Sequence, residues 1–158
     1  MYDRNKVVEY AKKWAYRINP DYYDFTNLGG DCTNFVSQCV LAGNLKMDEK
    51  YKGWYYKNLY NRSYAWTGVD EFWEYGINNK GDLGFKLKEI NINEVNIGDI
   101  VKLYSKSLNK YFHCVIITKI IKPISLKNIL VSAHDYNCYN RSLIEYTADE
   151  FKFGKIFV

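Results

Sequence analysis

Long apolar runs are missing from this chain. The longest, such as Val115 to Thr118 and Ile129 to Val131, fall far short of the ~20 residues that cross a bilayer, so no membrane span or apolar anchor is expected. The stretch Met1 to Lys13 carries charges throughout, with no apolar h-region and no small-residue cleavage site, and does not read as a secretory signal. As written, the chain is expected to stay in the cytoplasm, to leave by another route, or to be one domain of a larger exported protein. An excess of one charge is also lacking. Twenty-two basic residues against 18 acidic ones leave +4, and they are scattered rather than gathered into a stripe. Nucleic acid is therefore not an expected partner, because its binding needs many phosphates neutralised on one face. Only 2 Pro and 10 Gly occur, and 47% hydrophobic with 25% charged content is ordinary, which excludes collagen-like repeats and disordered tails. A length of 158 residues suits one domain, 1–158.

The four cysteines, Cys32, Cys39, Cys114 and Cys138, include no Cys-x-x-Cys pair. A zinc set of His113, Cys114, His134 and Cys138 can be drawn, but neighbours in a strand point to opposite faces. No metal and no other cofactor is expected. Cys39 and Cys114 lie inside apolar runs, where cysteine behaves as a small buried hydrophobe.

Aromatics are abundant instead: 18% of the chain, with 16 Tyr, 8 Phe and 4 Trp. Tyrosine either fills strand positions or offers a flat face for stacking on sugars and peptides. The first half of the chain has helical periodicity. Asp3 caps a helix whose apolar face is Val7, Val8, Ala11, Trp14 and Ala15, ending before Asn19-Pro20. Phe35, Val36, Cys39 and Val40 mark a buried second helix that opens at Cys32 and stops at Gly43. Thr67 can cap a third helix holding Val69, Phe72 and Trp73. The second half changes period. Residues 85–90, 100–104, 113–121, 129–134 and 142–146 read as short strands, 147–151 as a helical turn, and 155–158 as a last strand. The expected class is α+β, N-terminal helices packed on a C-terminal antiparallel sheet.

A cysteine in a first helical turn sits among unpaired N–H groups that favour the thiolate. Gly29 and Gly30 let the chain turn sharply into that helix, and Asp31 can serve as its cap. The thiolate's base must be one of the two histidines. His113 begins one apolar strand and His134 ends the next, so antiparallel pairing can bring both to one sheet edge beside Cys32. Asp135 is a second candidate for orienting His113.

The run Gly29-Gly30-Asp31-Cys32-Thr33-Asn34-Phe35-Val36-Ser37-Gln38-Cys39 resembles the signature of the Putative amidase domain family of Gram-positive bacteria. The resemblance extends over most of the chain, through Asn19-Pro20, Gly53-Trp54-Tyr55-Tyr56, Trp66-Thr67, Gly98-Asp99-Ile100, His113 and Ser132-Ala133-His134. It implies a papain-like fold related to the CHAP amidases and the NlpC-type cell-wall peptidases. It also implies Cys32 as nucleophile, His113 as base and acid, and His134 as the orienting residue, with Asp135 as the alternative. Papain-like proteases carry a glutamine before the cysteine, whereas Thr26 stands six positions upstream here. The backbone N–H of Cys32 is then the one oxyanion donor that can be named.

The expected activity is hydrolysis of an amide in bacterial cell-wall peptide, or in another bacterial peptide, through a Cys32 thioester. Acyl transfer or deamidation by the same Cys/His pair, or a non-catalytic glycan- or protein-binding module on the same fold, are the alternatives. Trp54, Tyr55, Tyr56 and Trp66, with Tyr60, Tyr64 and Asp31, are candidates for the substrate surface, or else a packed loop over the core.

Overall fold

The computed structural model describes residues 1–158. Helix α1 (Arg4–Trp14) starts where Asp3 accepts from the Lys6 N–H, and it buries Val7 and Ala11. A turn-rich loop leads to α2 (Cys32–Ala42), whose residues Cys32 to Val40 are all buried. A small hairpin, β1 (Tyr56–Asn58) and β2 (Asn61–Arg62), precedes a short α3 (Tyr64–Thr67) and then α4 (Val69–Asn78). The remainder is strand: β3 (Lys86–Ile90), β4 (Ile100–Ser105), β5 (Lys110–Ile120), β6 (Ile129–Ala133), β7 (Cys138–Ser142) and β8 (Glu150–Phe157). These six form one sheet in the order β3-β8-β4-β5-β6-β7, with every pairing antiparallel. The architecture is α+β, helices followed by a large antiparallel sheet.

The two faces of the sheet bury different cores. Leu87, Ile100, Cys114, Ile116 and Ile156 face the helices and meet Val7, Phe35, Val36, Cys39 and Trp54. Val101, Leu103, Val115, Ile117, Val131 and Phe153 face the other way, under Val95, Leu143 and the partly buried Ile92, Leu126 and Tyr146. The alternation along β5, odd residues to one core and even to the other, follows from the two-residue period of a strand. The helices are anchored to the sheet by Arg4, which donates to the carbonyls of Ile97 and Ile156 and to Asp99 Oδ1. Asp99 is fully buried, so the ion pair leaves no carboxylate unmatched inside the protein.

Several boundaries differ from the sequence expectation. β5 begins at Lys110, so His113 is its fourth residue and not its first. Thr67 ends α3 instead of capping α4, and Gly68 makes the junction. The strand expected at 142–146 lies earlier, at Cys138–Ser142, and is followed by a 3-10 turn at Leu143–Glu145 in which Glu145 and Ser142 form a capping box. The expected turn at 147–151 is absent, because β8 already begins at Glu150, pairing with Tyr104.

Candidate active site

Cys32 opens α2 and is buried, together with Asp31. The backbone reaches it through two left-handed glycines, Gly29 at φ +85° and Gly30 at φ +101°, a conformation that residues with a Cβ rarely adopt. At Gly30 a Cβ would also stand 2.7 Å from Asp135 Oδ2. That close approach exists because Asp135 caps the helix from outside. Its carboxylate accepts from the N–H of Asp31 at 2.9 Å through either oxygen, and from the N–H of Cys32 at 3.2 Å. A carboxylate here satisfies two orphan donors and meets the positive end of the helix dipole. The turn that delivers it, between β6 and β7, holds both Asp135 and Tyr136 at φ +61°.

His113 comes from β5 and is also buried. Cys32 Sγ, a ring nitrogen of His113 and a carboxylate oxygen of Asp135 all lie within 4.8 Å of one another. His113 Nε2 is buried with no hydrogen-bond partner. Burial, and after it the positive charge of Arg141, push the His113 pKa down to about 4. Burial pushes the Cys32 thiol up. The nearby Cys114 N–H and Thr33 hydroxyl act in the opposite direction and do not cancel it, and Asp135 adds to the rise. Burial is the first cause of both shifts and acts against the charged form of each group, so desolvation opposes the preference for thiolate expected at a helix N-terminus.

His134 takes a different place from the one expected. Its Nδ1 pairs with Asp31 Oδ2 at 2.5 Å, its Nε2 donates to the Trp14 carbonyl at 2.8 Å, and its ring stacks on Phe35. Both nitrogens are thus taken, and no hydrogen bond runs from His134 to His113. Strand β6 ends at Ala133, and the left-handed turn that follows carries the Asp135 carboxylate to His113 and Cys32, while His134, at the start of that turn, stacks on Phe35 against the helices.

The remaining candidates are also corrected by burial. Asp31 is 1% exposed, and it accepts from the Phe25 N–H and the Asn34 side chain through Oδ1 while Oδ2 meets His134. No oxygen is left for substrate. Trp54 and Trp66 are fully buried and Tyr56 nearly so; the Trp54 indole donates to Ser37 and the Trp66 indole to Asn34, both on α2. With their N–H groups satisfied these rings are core against the cysteine helix. Tyr55 is half-buried, and the rings left exposed in this region are Tyr51, Tyr60 and Tyr64. The Cys32 N–H, expected as the oxyanion donor, is held by Asp135.

A cleft of about 540 Å³ is lined by His113 and Asp135 of the cluster, with Gly30, Tyr136, Arg141 and Tyr146 among others, while Cys32 lies buried behind them. Arg141 and Tyr146 were not candidates from sequence; a lone arginine in a polar strand carries no signal there. A second hollow of about 440 Å³, lined by Tyr51, Tyr64, Glu71 and Glu74 among others, shares no residue with the first. The thiol, imidazole and carboxylate are also a donor set that suits zinc with an open fourth position, so Cys32, His113 and Asp135 are the residues that could hold a metal. The zinc set drawn from sequence does not assemble: Cys114 and Cys138 lie in cores on opposite faces of the sheet. All four cysteines are free and buried.

A helical layer opening at a cysteine, set against an antiparallel sheet that carries a histidine, defines the class: an α+β protein with a thiol–imidazole–carboxylate cluster at a cleft. The sequence model of the Putative amidase domain matches residues 1–156, and the chain belongs to that family. It is 31% identical over 119 residues to the uncharacterized protein YhbB of Bacillus subtilis (strain 168), an alignment covering 73% of this chain and 37% of that protein's length. No solved structure matches. The family supports amidase activity on an amide substrate, and no helix is long and apolar enough to cross a membrane.

Proposed function

We propose that this chain is a cysteine-dependent amidase or peptidase that cleaves an amide bond through a thioester on Cys32. The observation that carries this reading is the meeting of Cys32 Sγ, a His113 ring nitrogen and an Asp135 oxygen within 4.8 Å, the last two residues lining a cleft. Burial disfavours both thiolate and imidazolium, so proton transfer accompanies attack. His113 takes the Sγ proton as sulfur bonds to the amide carbon, then delivers it to the departing amine as the C–N bond breaks. Water then attacks the thioester, giving its proton to His113, which returns it to sulfur as the acid leaves. The Asp135 carboxylate stands where it favours the transient imidazolium. The substrate class that family resemblance favours is an amide of bacterial cell-wall peptide or of another bacterial peptide, on a papain-like, CHAP- or NlpC-related scaffold.

The test is turnover of cell-wall fragments and peptide amides by wild type and Cys32→Ala. The variant should remain folded and lose at least about a thousandfold in rate; equal rates would refute the assignment. The same cluster supports a second reading as a zinc site. Dialysis against a chelator separates the two: the thiol mechanism keeps its rate, whereas loss reversed by added zinc identifies the metal.

A further inference from the structure

The cleft lined by His113 and Asp135 holds a cation that no carboxylate of the protein pairs with. Arg141, on β7, is half-buried and lines the cleft together with His113. It is absent from every ion pair of the structure, and its guanidinium rests over the Tyr146 ring at 5.6 Å. The one carboxylate that lines the cleft, Asp135, is committed to the N–H groups of Asp31 and Cys32. A second orphan stands in the same wall, since His113 Nε2 is 95% shielded with its residue and has no partner. Around them Thr26, Tyr136 and Thr147 supply hydroxyls.

A guanidinium is a planar fork of N–H donors that fits a carboxylate through two parallel hydrogen bonds. It is also less strongly hydrated than an ammonium, which suits a half-buried position. An unpaired fork beside the reacting groups is therefore a receptor for an anion that arrives with the substrate. We propose that Arg141 is a specificity residue that binds a free carboxylate of the substrate, so that the preferred amide lies in a peptide bearing an acidic side chain or chain terminus close to the scissile bond.

This rests on the amidase reading and narrows it from amides in general to anionic peptide amides. The carboxylate of Asp135 works against an incoming anion, so its own two hydrogen bonds to the helix N-terminus matter: they hold its charge against the dipole.

The test uses synthetic pentapeptides scanned with Glu against Gln at each position. Wild type should cleave the Glu member faster at one position, by about tenfold or more in kcat/KM at low salt, the worth of one charged hydrogen-bonded contact. Arg141→Gln should erase that ratio, and Arg141→Lys should keep part of it. A Glu/Gln ratio near one in wild type, or one that survives in Arg141→Gln, overturns the proposal. Binding of the same peptides to Cys32→Ala, with and without Arg141→Gln, separates the two levels. A Glu preference in binding that disappears with Arg141 supports the carboxylate site even if no peptide is cleaved, in which case it is the amidase reading that fails. Absence of any such preference in binding overturns the site while leaving cleavage to stand.

Discussion

Asp135 commits its carboxylate to two backbone N–H groups at the start of α2 and stands within 4.8 Å of both the thiol and the imidazole. Its charge raises the Cys32 pKa, as burial does more strongly. Asp135→Asn keeps an oxygen for the helix N–H groups and removes the charge, so the thiol should titrate at lower pH. The pH dependence of Cys32 alkylation by iodoacetamide, with the site located by peptide mapping, measures this; a midpoint that stays put or rises contradicts the electrostatic role. At this scale the place of Cys32 at the start of α2 was legible in the sequence, because a glycine pair before a cysteine and a helical apolar period after it are local patterns; His113 was expected to begin its strand and stands fourth in β5. The choice between His134 and Asp135 was not legible. It depends on the turn after β6, where Asp135 and Tyr136 adopt φ +61°, a path that no local sequence pattern specifies. Asp31 was misread for a related reason: its partner His134 is 103 residues away.

The elements around the cysteine depend on Gly30. An alanine there would have to hold φ near +101° and place its Cβ 2.7 Å from Asp135 Oδ2. Gly30→Ala should destabilise the protein by roughly 1–3 kcal/mol and displace the carboxylate from the helix N-terminus. Urea unfolding reads the first effect, and the alkylation midpoint of Cys32 reads the second. A variant matching wild type in both would show that the loop tolerates the change and that Asp135 is not seated by it. The helices α1 and α2 were plain in the sequence because their apolar residues recur at the helical period, and the start of α1 carries a capping Asp. The strand at 138–142 was missed because its residues, Cys-Tyr-Asn-Arg-Ser, are mostly polar; it forms as the sheet edge beside β6, through pairing and not through propensity.

Across the whole molecule the tryptophans near the cysteine helix resolve into packing, while tyrosines such as Tyr51, Tyr60, Tyr64 and Tyr136 stay exposed. Trp54 and Trp66 contact each other with ring centroids 5.0 Å apart beneath α2, so the segment that looked like a substrate wall supports the cysteine helix from inside. A sequence shows that rings are clustered but not which side of them meets water. Burial of the site also couples stability to pH. His113 titrates at about 4 in the folded protein against an ordinary 6.5, so below pH 6.5 the unfolded chain takes up a proton that the folded one refuses. Stability should fall on acidification from about 6.5 to about 4, by roughly 2 kcal/mol at pH 4.5, and this term is absent above neutrality. Denaturation of wild type and His113→Gln at pH 7 and 4.5 measures it. The variant should lose less stability on acidification than wild type, and equal losses would contradict the buried neutral imidazole.

The central claim is a covalent bond between Cys32 and the acyl half of an amide substrate. Acid quenching during turnover of cell-wall peptide fragments, followed by intact-protein mass spectrometry and peptide mapping, examines that bond directly. The expected result is an acyl adduct on Cys32, removed by hydroxylamine and absent from Cys32→Ala. Amide cleavage at the wild-type rate by Cys32→Ala, with no adduct on either protein, would contradict it.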